Sequence, residues 1–479
     1  MKRLYAIVIA ILLFLTMMPG DANAGAAAPA ESAAQTAAMS SPSASMPSLT
    51  DDPTSQLYRA YTVKRGDNLI SISKKLGVPW RDLAVLNGIK RPKYTIYPGQ
   101  ILKIPIMPKL PGATGNYLIL CETEAQKQYV ADFAAFKILN GYTVTIKSME
   151  ADVRRKANAD TSDEIRQYLK KMDKEMSLEY VLLVGTPFNE KTVCLQHTGG
   201  AIPMRYLYDN PANRDYSWYD GKSNTVFKTA TDIYYALDID WDFDKDGFAG
   251  EMQEMAQYVE SATPDWLFLL GRVPFSDAQS IKKVLDTTMK FEKTQKAHSD
   301  ALIGSYGIWA YYSDALAKNL VNAKIEAVTL YGDDENGPCQ YKSTYPLNPE
   351  NFNREISKAY DFVYTMGDIE NYSRTPFKAG ILFLDSSETF EVKPSKYDKF
   401  TAMDVLANGS ACAVIATTKE VGFNPTDPAP RLSSRLFSNK TLRISGEFYT
   451  AALSSIMAGD VLEAYVYCYL GDPSIALKP

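Results

Sequence analysis

Carboxylates recur on alternate residues through Asp238-Ile-Asp240-Trp-Asp242-Phe-Asp244-Lys-Asp246, just ahead of Gly247 and Glu251. Hard cations such as calcium are held by several oxygen ligands converging from a short loop, and a glycine lets that loop turn sharply. Asp240, Asp242, Asp244, Asp246 and Glu251 are therefore candidate calcium ligands, in a structural rather than a hydrolytic role. Glu251 falls two positions short of the bidentate Glu of an EF-hand, so the pattern predicts one irregular loop and not a helix-loop-helix hand. The alternative is a solvated acidic turn.

A different chemistry would need a thiolate nucleophile and an imidazole that takes and returns its proton. The sequence holds five Cys and two His. Cys121, Cys412 and Cys468 lie inside apolar runs, where Cys serves as a small hydrophobe. His197 sits in Leu195-Gln-His-Thr-Gly-Gly200 and His298 follows a long helical pattern, and both read as surface residues. So few cysteines, odd in number, do not make a disulfide scaffold.

These residues need elements to position them. With 479 residues, 46% of them hydrophobic, the chain is long enough for at least two domains. The net charge is -5 and Lys and Arg are spread along the chain, which argues against a nucleic-acid partner. Met1-Lys-Arg, the apolar run Leu4 to Met18 and the small-residue site Ala22-Asn-Ala24 form a signal peptide over residues 1–24, cleaved after Ala24. No later run approaches the ~20 apolar residues of a spanning helix, so no membrane span is expected after cleavage. The protein is thus expected to be exported, to the periplasm, cell wall or exterior. Residues 25–56 are rich in Ala, Ser, Pro and Thr and read as a flexible tether.

Residues 61–105 read as strand, helix, helix, strand. Tyr61-Thr-Val-Lys-Arg-Gly66-Asp67 is a short strand running into a turn, with Asp67 expected to cap the helix that carries Leu69, Ile72 and Leu76. A second helix brings Leu83 and Leu86 inward and stops at Asn87-Gly88, and Tyr97-Pro-Gly99-Gln-Ile-Leu-Lys-Ile-Pro105 supplies the closing turn and strand. The opening Tyr-x-Val-x-x-Gly-Asp and the closing Pro-Gly-Gln-x-Leu-x-Ile-Pro resemble the LysM family. The resemblance implies binding of N-acetylglucosamine glycans, peptidoglycan above all, in a groove between two loops. Carried onto this chain, the groove residues are Gly66, Asp67, Asn68, Leu69, Ile96, Tyr97 and Gly99, with Asn68 where the family usually has Thr.

After a Pro-rich hinge at 106–115, apolar strands alternate with amphipathic helices over 116–479, with a sub-boundary near 270–300. Strands are expected at Tyr117–Cys121, Tyr142–Ile146 and Tyr180–Gly185, and helices at Tyr129–Leu139 and Ser162–Met172. The fold class is α/β with a mainly parallel sheet, and ligands gather beyond the carboxyl ends of such strands. Tyr180-Val-Leu-Leu-Val-Gly185 with Ala201-Ile-Pro203, Thr231 to Asp238 through Gly271-Arg-Val-Pro274, and Leu470-Gly-Asp-Pro-Ser-Ile-Ala-Leu477 resemble the gingipain-type cysteine peptidases of family C25. The resemblance implies a two-part α/β unit with a caspase-like second part. Its catalytic His follows a buried strand in a Gly-His-Gly segment, and its Cys ends the following core strand. Here Asp361-Phe-Val-Tyr-Thr-Met-Gly-Asp368 puts Asp368 at the His position. Ser410-Ala-Cys-Ala-Val-Ile-Ala-Thr417-Thr418 is taken as the second strand, with Thr417 and Thr418 at the Cys position and Leu382 to Lys399 as an insertion between. The expectation is a wall-bound protein whose peptidase domain lacks its dyad and binds a peptide or protein partner. The alternative is an active peptidase or other hydrolase tethered by LysM. The 31 Tyr, including Tyr206, Tyr208, Tyr216 and Tyr219, suit a binding surface or ordinary loops.

Overall fold

The first module is closed by an antiparallel pair, β1 (Tyr58–Thr62) with β2 (Ile101–Pro105), Tyr61 lying opposite Leu102. The structure is a computed structural model and describes residues 58–69, 71–72, 83–84, 87–89, 95–105, 115–153, 161–187, 201–208, 228–243, 245, 249–250, 266–334, 337–366, 378–386, 389–390, 401–418, 431–442, 444–457 and 461–479. Val63, Leu69, Ile72, Leu83, Ala84 and Leu102 form the small core. Asn87 clamps β2: its side chain donates to the Lys103 carbonyl at 3.0 Å and accepts from the Lys103 amide at 2.7 Å. The helix cap is Asn68, not Asp67. The Asn68 side chain accepts from the Ser71 amide at 2.8 Å while the Ser71 hydroxyl accepts from the Asn68 amide at 3.0 Å, a reciprocal cap. Asp67 turns the other way and accepts from the Lys64 amide and the Tyr61 hydroxyl, both at 2.8 Å.

The second part is built on one 11-stranded sheet. Its strands are β3 (Asn116–Cys121), β4 (Thr143–Ser148), β5 (Leu178–Val184), β8 (Leu269–Val273), β9 (Asp300–Tyr306), β10 (Glu326–Gly332), β11 (Tyr345–Pro346), β12 (Tyr360–Met366), β13 (Ala379–Asp385), β14 (Ala411–Thr417) and β15 (Tyr467–Gly471). A separate hairpin pairs β6 (Arg205–Tyr208) with β7 (Lys228–Thr231). The spatial order is β11-β10-β9-β12-β13-β14-β15-β8-β5-β3-β4. Side chains alternate between two cores: Leu118 and Leu120 face one side of β3, Tyr117, Ile119 and Cys121 the other. Burial on both faces explains why these strands read as unbroken apolar runs. Helices α1 (Ala131–Leu139), α2 (Thr161–Met176), α3 (Ala278–Thr294), α4 (Ala310–Asn322), α5 (Pro349–Ile356), α6 (Ala402–Asn408) and α7 (Ser445–Met457) cover the sheet.

Every pairing in this sheet is parallel except β14 with β15. The sheet is therefore two parallel halves running in opposite directions, with their carboxyl ends on opposite edges. The seam is tight. A Cβ on Gly271 would stand 2.1 Å from the Gly471 carbonyl, and Gly471 itself has φ +119°. Buried charges flank it: Lys137 of α1 meets Asp472 at 2.6 Å and Glu292 of α3 at 2.8 Å, and the Tyr117 hydroxyl donates to Asp472 at 2.8 Å. Arg272 reaches Asp232 through Nε at 2.7 Å and a terminal nitrogen at 2.6 Å, and donates to the Ile202 carbonyl at 2.8 Å.

The segment expected as an insertion, Leu382 to Lys399, begins as core. Leu382, Phe383 and Leu384 are fully buried in β13, which pairs with β12 on one side and β14 on the other. The Ser, Glu and Lys content that suggested an insertion lies after the strand. Residues 1–57, which hold the expected signal peptide and tether, and 106–114 of the hinge lie outside the described residues.

Asp361, the second residue of β12, is 3% exposed and one of its carboxyl oxygens has no hydrogen-bond partner. Burial raises its pKa above the usual carboxylate value, offset in part by a Ser299 hydrogen bond, with Asp300 adding repulsion. A carboxyl with a raised folded pKa contributes stability below its unfolded pKa, about 4, and loses it as pH rises through the folded value. Asp361→Asn is accordingly expected to be more stable than wild type at pH 7, by about 1 kcal/mol or more, with the advantage vanishing near pH 3. Urea unfolding across that range checks this, and equal stability at pH 7 would refute it.

Candidate functional site

The carboxyl ends of β9, β10, β12, β13 and β14 share one edge, and the polar side chains there are densely interlinked. Met366 of β12 lies opposite Asp385 of β13, and Thr417 of β14 opposite Tyr467 of β15. Asp385 is 2% exposed and accepts from the Tyr364 hydroxyl at 2.8 Å, the Tyr467 hydroxyl at 3.2 Å and the Arg431 guanidinium at 3.5 Å. Arg431 lies over the rings of Trp309, at 4.9 Å, and Tyr312, at 5.6 Å. A guanidinium held this way keeps its charge while its faces are covered by aromatic carbon. Burial, with the Asp385 charge beside it, pushes the Tyr364 phenol well above its usual range.

Thr417 is buried and its hydroxyl is engaged. It donates to the Ser386 carbonyl at 2.5 Å and accepts from the Thr389 amide at 3.2 Å, while the Thr417 amide donates to the Thr389 hydroxyl at 3.0 Å. These bonds tie the end of β14 to the segment after β13. Thr418 points to the other half of the domain, donating to the Ala230 carbonyl at 2.8 Å, with the Thr229 hydroxyl at 3.3 Å. Asp368 and the residues around it, 367–370, lie outside the described residues. The core strand that follows β12, in the chain and in space, is β13 and not β14.

Neither thiol nor imidazole joins this cluster among the described residues. Cys412 is the second residue of β14, far from its carboxyl end, and its sulfur donates to the Thr287 carbonyl at 3.5 Å. Burial pushes the Cys412 and Cys468 thiols well above their ordinary value and Cys121 up to about 12. Cys339 is half-buried in the loop after β10, with its amide donating to Asp333 at 2.9 Å. His298 precedes β9, at that strand's amino end, and its Nδ1 lies 2.6 Å from the Pro479 carbonyl oxygen. His197 and Cys194 fall outside the described residues. Sequence reasoning missed Asp385 and Arg431. A carboxylate closing the apolar run Gly380-Ile-Leu-Phe-Leu was a readable signal for the first; Arg431 carried none.

In the first module the amide of Gly99 donates to the Val63 carbonyl at 2.8 Å and the Val63 amide to the Gln100 carbonyl at 2.9 Å, which brings the loops at 64–68 and 95–100 side by side. Gly66, Asn68, Tyr97 and Gly99 are exposed, Tyr97 by 67%. Leu69 is buried and Ile96, half-buried, packs on the same core. A family model described as the LysM domain matches residues 61–105, a module of glycan and peptidoglycan recognition. A second, described as Peptidase family C25, matches residues 111–367, more than half of the chain. The chain belongs to peptidase family C25. In this C25 protein the family match ends at the close of β12, before β13 and β14.

No curated protein matches the sequence. A solved structure described as "Structure of Protease" is 12% identical, with a TM-score of 0.46 over 76% of this chain and 78% of its own. Ornithine carbamoyltransferase from Burkholderia thailandensis E264 is 8% identical, with a TM-score of 0.18 over 63% and 85%. At these TM-scores neither likeness adds to the family assignment.

The acidic segment is only partly described. Asp240 accepts from the Asp242 amide at 3.4 Å, Asp238 pairs with Lys170, and Arg166 donates to the Leu237 and Ile239 carbonyls at 3.1 and 2.6 Å. Asp244, Asp246 and Glu251 lie outside the described residues, and among the described ones no three His, Cys, Asp or Glu cluster as a metal site. Tyr206 and Tyr208 belong to β6; Tyr216 and Tyr219 are not described. No described helix is long and apolar enough to cross a membrane.

Thiolate reactivity follows from pKa and access. With a thiol reagent on the native protein, Cys339 is expected to react while Cys121, Cys412 and Cys468 stay protected until denaturant is added. Mapping the labelled peptides checks this; native labelling of Cys412 would contradict its place in the core.

Proposed function

We propose that this C25 protein is exported, held at the cell wall by its LysM module, and that its large domain binds a peptide or protein at the strand-end site without cleaving it. The observation that carries this reading is the make-up of that site: Asp385, Arg431, Tyr364, Tyr467 and Thr417 are bonded to one another or to backbone, and no described thiol or imidazole stands among them. A general base needs a lone pair free to face the reacting group, and three of the roughly four acceptor sites of the Asp385 carboxylate are already engaged. We place the nucleophile's position at Asp385 and Ser386, and the histidine's at Asp368. The export reading rests on the apolar run Leu4 to Met18 and Ala22-Asn-Ala24, followed by the tether at 25–56.

We further propose that calcium binds the loop of Asp240, Asp242, Asp244, Asp246 and Glu251. Arg166 fixes the carbonyls at the loop's start and Asp240 already folds back on the Asp242 amide, which supports a compact turn of oxygen ligands. A chelator is expected to lower the melting temperature, and calcium in excess to restore it by mass action. A melting temperature indifferent to both would remove calcium from the account.

Membership of a peptidase family favours a second reading, a hydrolase with a rebuilt site. The mature protein is therefore to be incubated with a mixed peptide library and denatured protein, with calcium and reductant, beside Ser386→Ala and Asp368→Ala. The expected outcome is no turnover in any of the three, together with peptidoglycan pull-down that weakens severalfold in Tyr97→Ala. Turnover in the wild type that is lost in either variant would establish the hydrolase instead.

A further inference from the structure

Basic residues occur throughout the chain, but their balance differs sharply between its parts. Residues 61–105 hold nine Lys and Arg against two Asp and Glu, a net charge of +7, whereas residues 106–479 hold 39 against 50, a net of -11. The two parts are joined by a hinge of about ten residues, which spans at most ~35 Å, so neither can move far from the other.

Among the described residues the two parts meet in an ion pair. Lys103 of β2 lies 3.5 Å from Asp132 of α1. Asp132 is on the rim of a groove of about 200 Å³ between α1 and α3, lined by Tyr129, Phe133, Leu285 and Met289 with Asp286 and Lys282 beside them. On the module's side, Lys103 and Ile101 alternate on the same outward face of β2, and Ile101 is 67% exposed. The module thus presents an apolar side chain beside the cation that meets Asp132, and the groove has an acidic rim above the buried side chains of Phe133, Leu285 and Met289. None of these residues belongs to the loops at 64–68 and 95–100.

We propose that the outer face of the LysM hairpin docks on the α1–α3 groove of the same chain, with Ile101 seated between the helices and Lys103 on Asp132. One exposed ion pair contributes little alone. The opposite net charges and the hinge supply the rest: a short linker holds the module at an effective concentration of about millimolar, so a weak interface is enough to keep it closed. Docking by this face leaves the glycan loops open. The peptidase domain then has a fixed orientation on the glycan strand that the module grips.

Nitrogen-15 relaxation of the full mature chain tests the proposal. At low salt the LysM amides are expected to tumble with the large domain, and at ~0.5 M salt, where the screening length shrinks well below 10 Å, their correlation time should fall severalfold. Lys103→Glu and Asp132→Lys should each release the module at low salt, the double charge swap should restore docking, and Ile101→Asp should release it again. All three positions are exposed or half-exposed, so folding is not at stake. Independent tumbling of the wild-type module at low salt would overturn the proposal, as would coupled tumbling that ignores salt and variants. Coupling that disappears on dilution would assign the groove to a second copy and overturn it equally.

Discussion

The antiparallel seating of β15 between β14 and β8 joins two sheets into one. Each half is a parallel array that could be wound separately, and β15 closes the gap between them with one antiparallel and one parallel partner. The close approach admits no side chain at Gly271 and needs the left-handed backbone of Gly471. Asp472 follows at once and is satisfied by Lys137, Tyr117 and Ser474, which arrive from α1, β3 and the chain's next turn. Breaking a buried pair of this kind leaves an uncompensated charge and costs about 3–5 kcal/mol. Both halves depend on this junction for their register.

The junction also decides where chemistry can sit. Because the halves run oppositely, the edge that collects the ends of β12, β13 and β14 receives the amino end of β15, and Tyr467 enters the cluster from there. Asp385 is then surrounded by donors from two strands, β12 and β15, and from the residue that opens the short helix Leu432–Arg435. Such a network fixes strand ends against one another and leaves few lone pairs for a reacting group. In place of mobile acid and base it offers a guanidinium braced on Trp309 and Tyr312.

Much of this was legible in the sequence. Among the described residues of the LysM module, the two strands and the core positions Leu69, Ile72 and Leu83 could be read directly, since they are set locally, whereas Leu76 and Leu86 lie outside the described residues. The one local error, Asp67 for Asn68 as helix cap, arose because two adjacent residues both cap well and the Tyr61 hydroxyl, six residues away, claimed the first. In the large domain the strands Asn116–Cys121 and Leu178–Val184 were plain from their apolar runs. β13 was missed: composition after its end masked the strand itself, and nothing local says that a strand is inserted between two others in space. The antiparallel reversal and the Asp385–Arg431 pair were equally beyond reach, since both join residues far apart in the chain. The acidic loop remains a pattern of carboxylates whose decisive members are not described.

The seam has a kinetic side as well. The Tyr117 hydroxyl and Asp472 are 355 residues apart in the chain, and the entropy of closing so long a loop is lost before its contacts return anything. The centre of the sheet therefore forms late. Until β15 arrives, β14 and β8 each present an unpaired apolar edge, the kind of surface that templates aggregation. The strand that gives the finished molecule its continuity is also the one whose delay most exposes the folding chain to association with its neighbours.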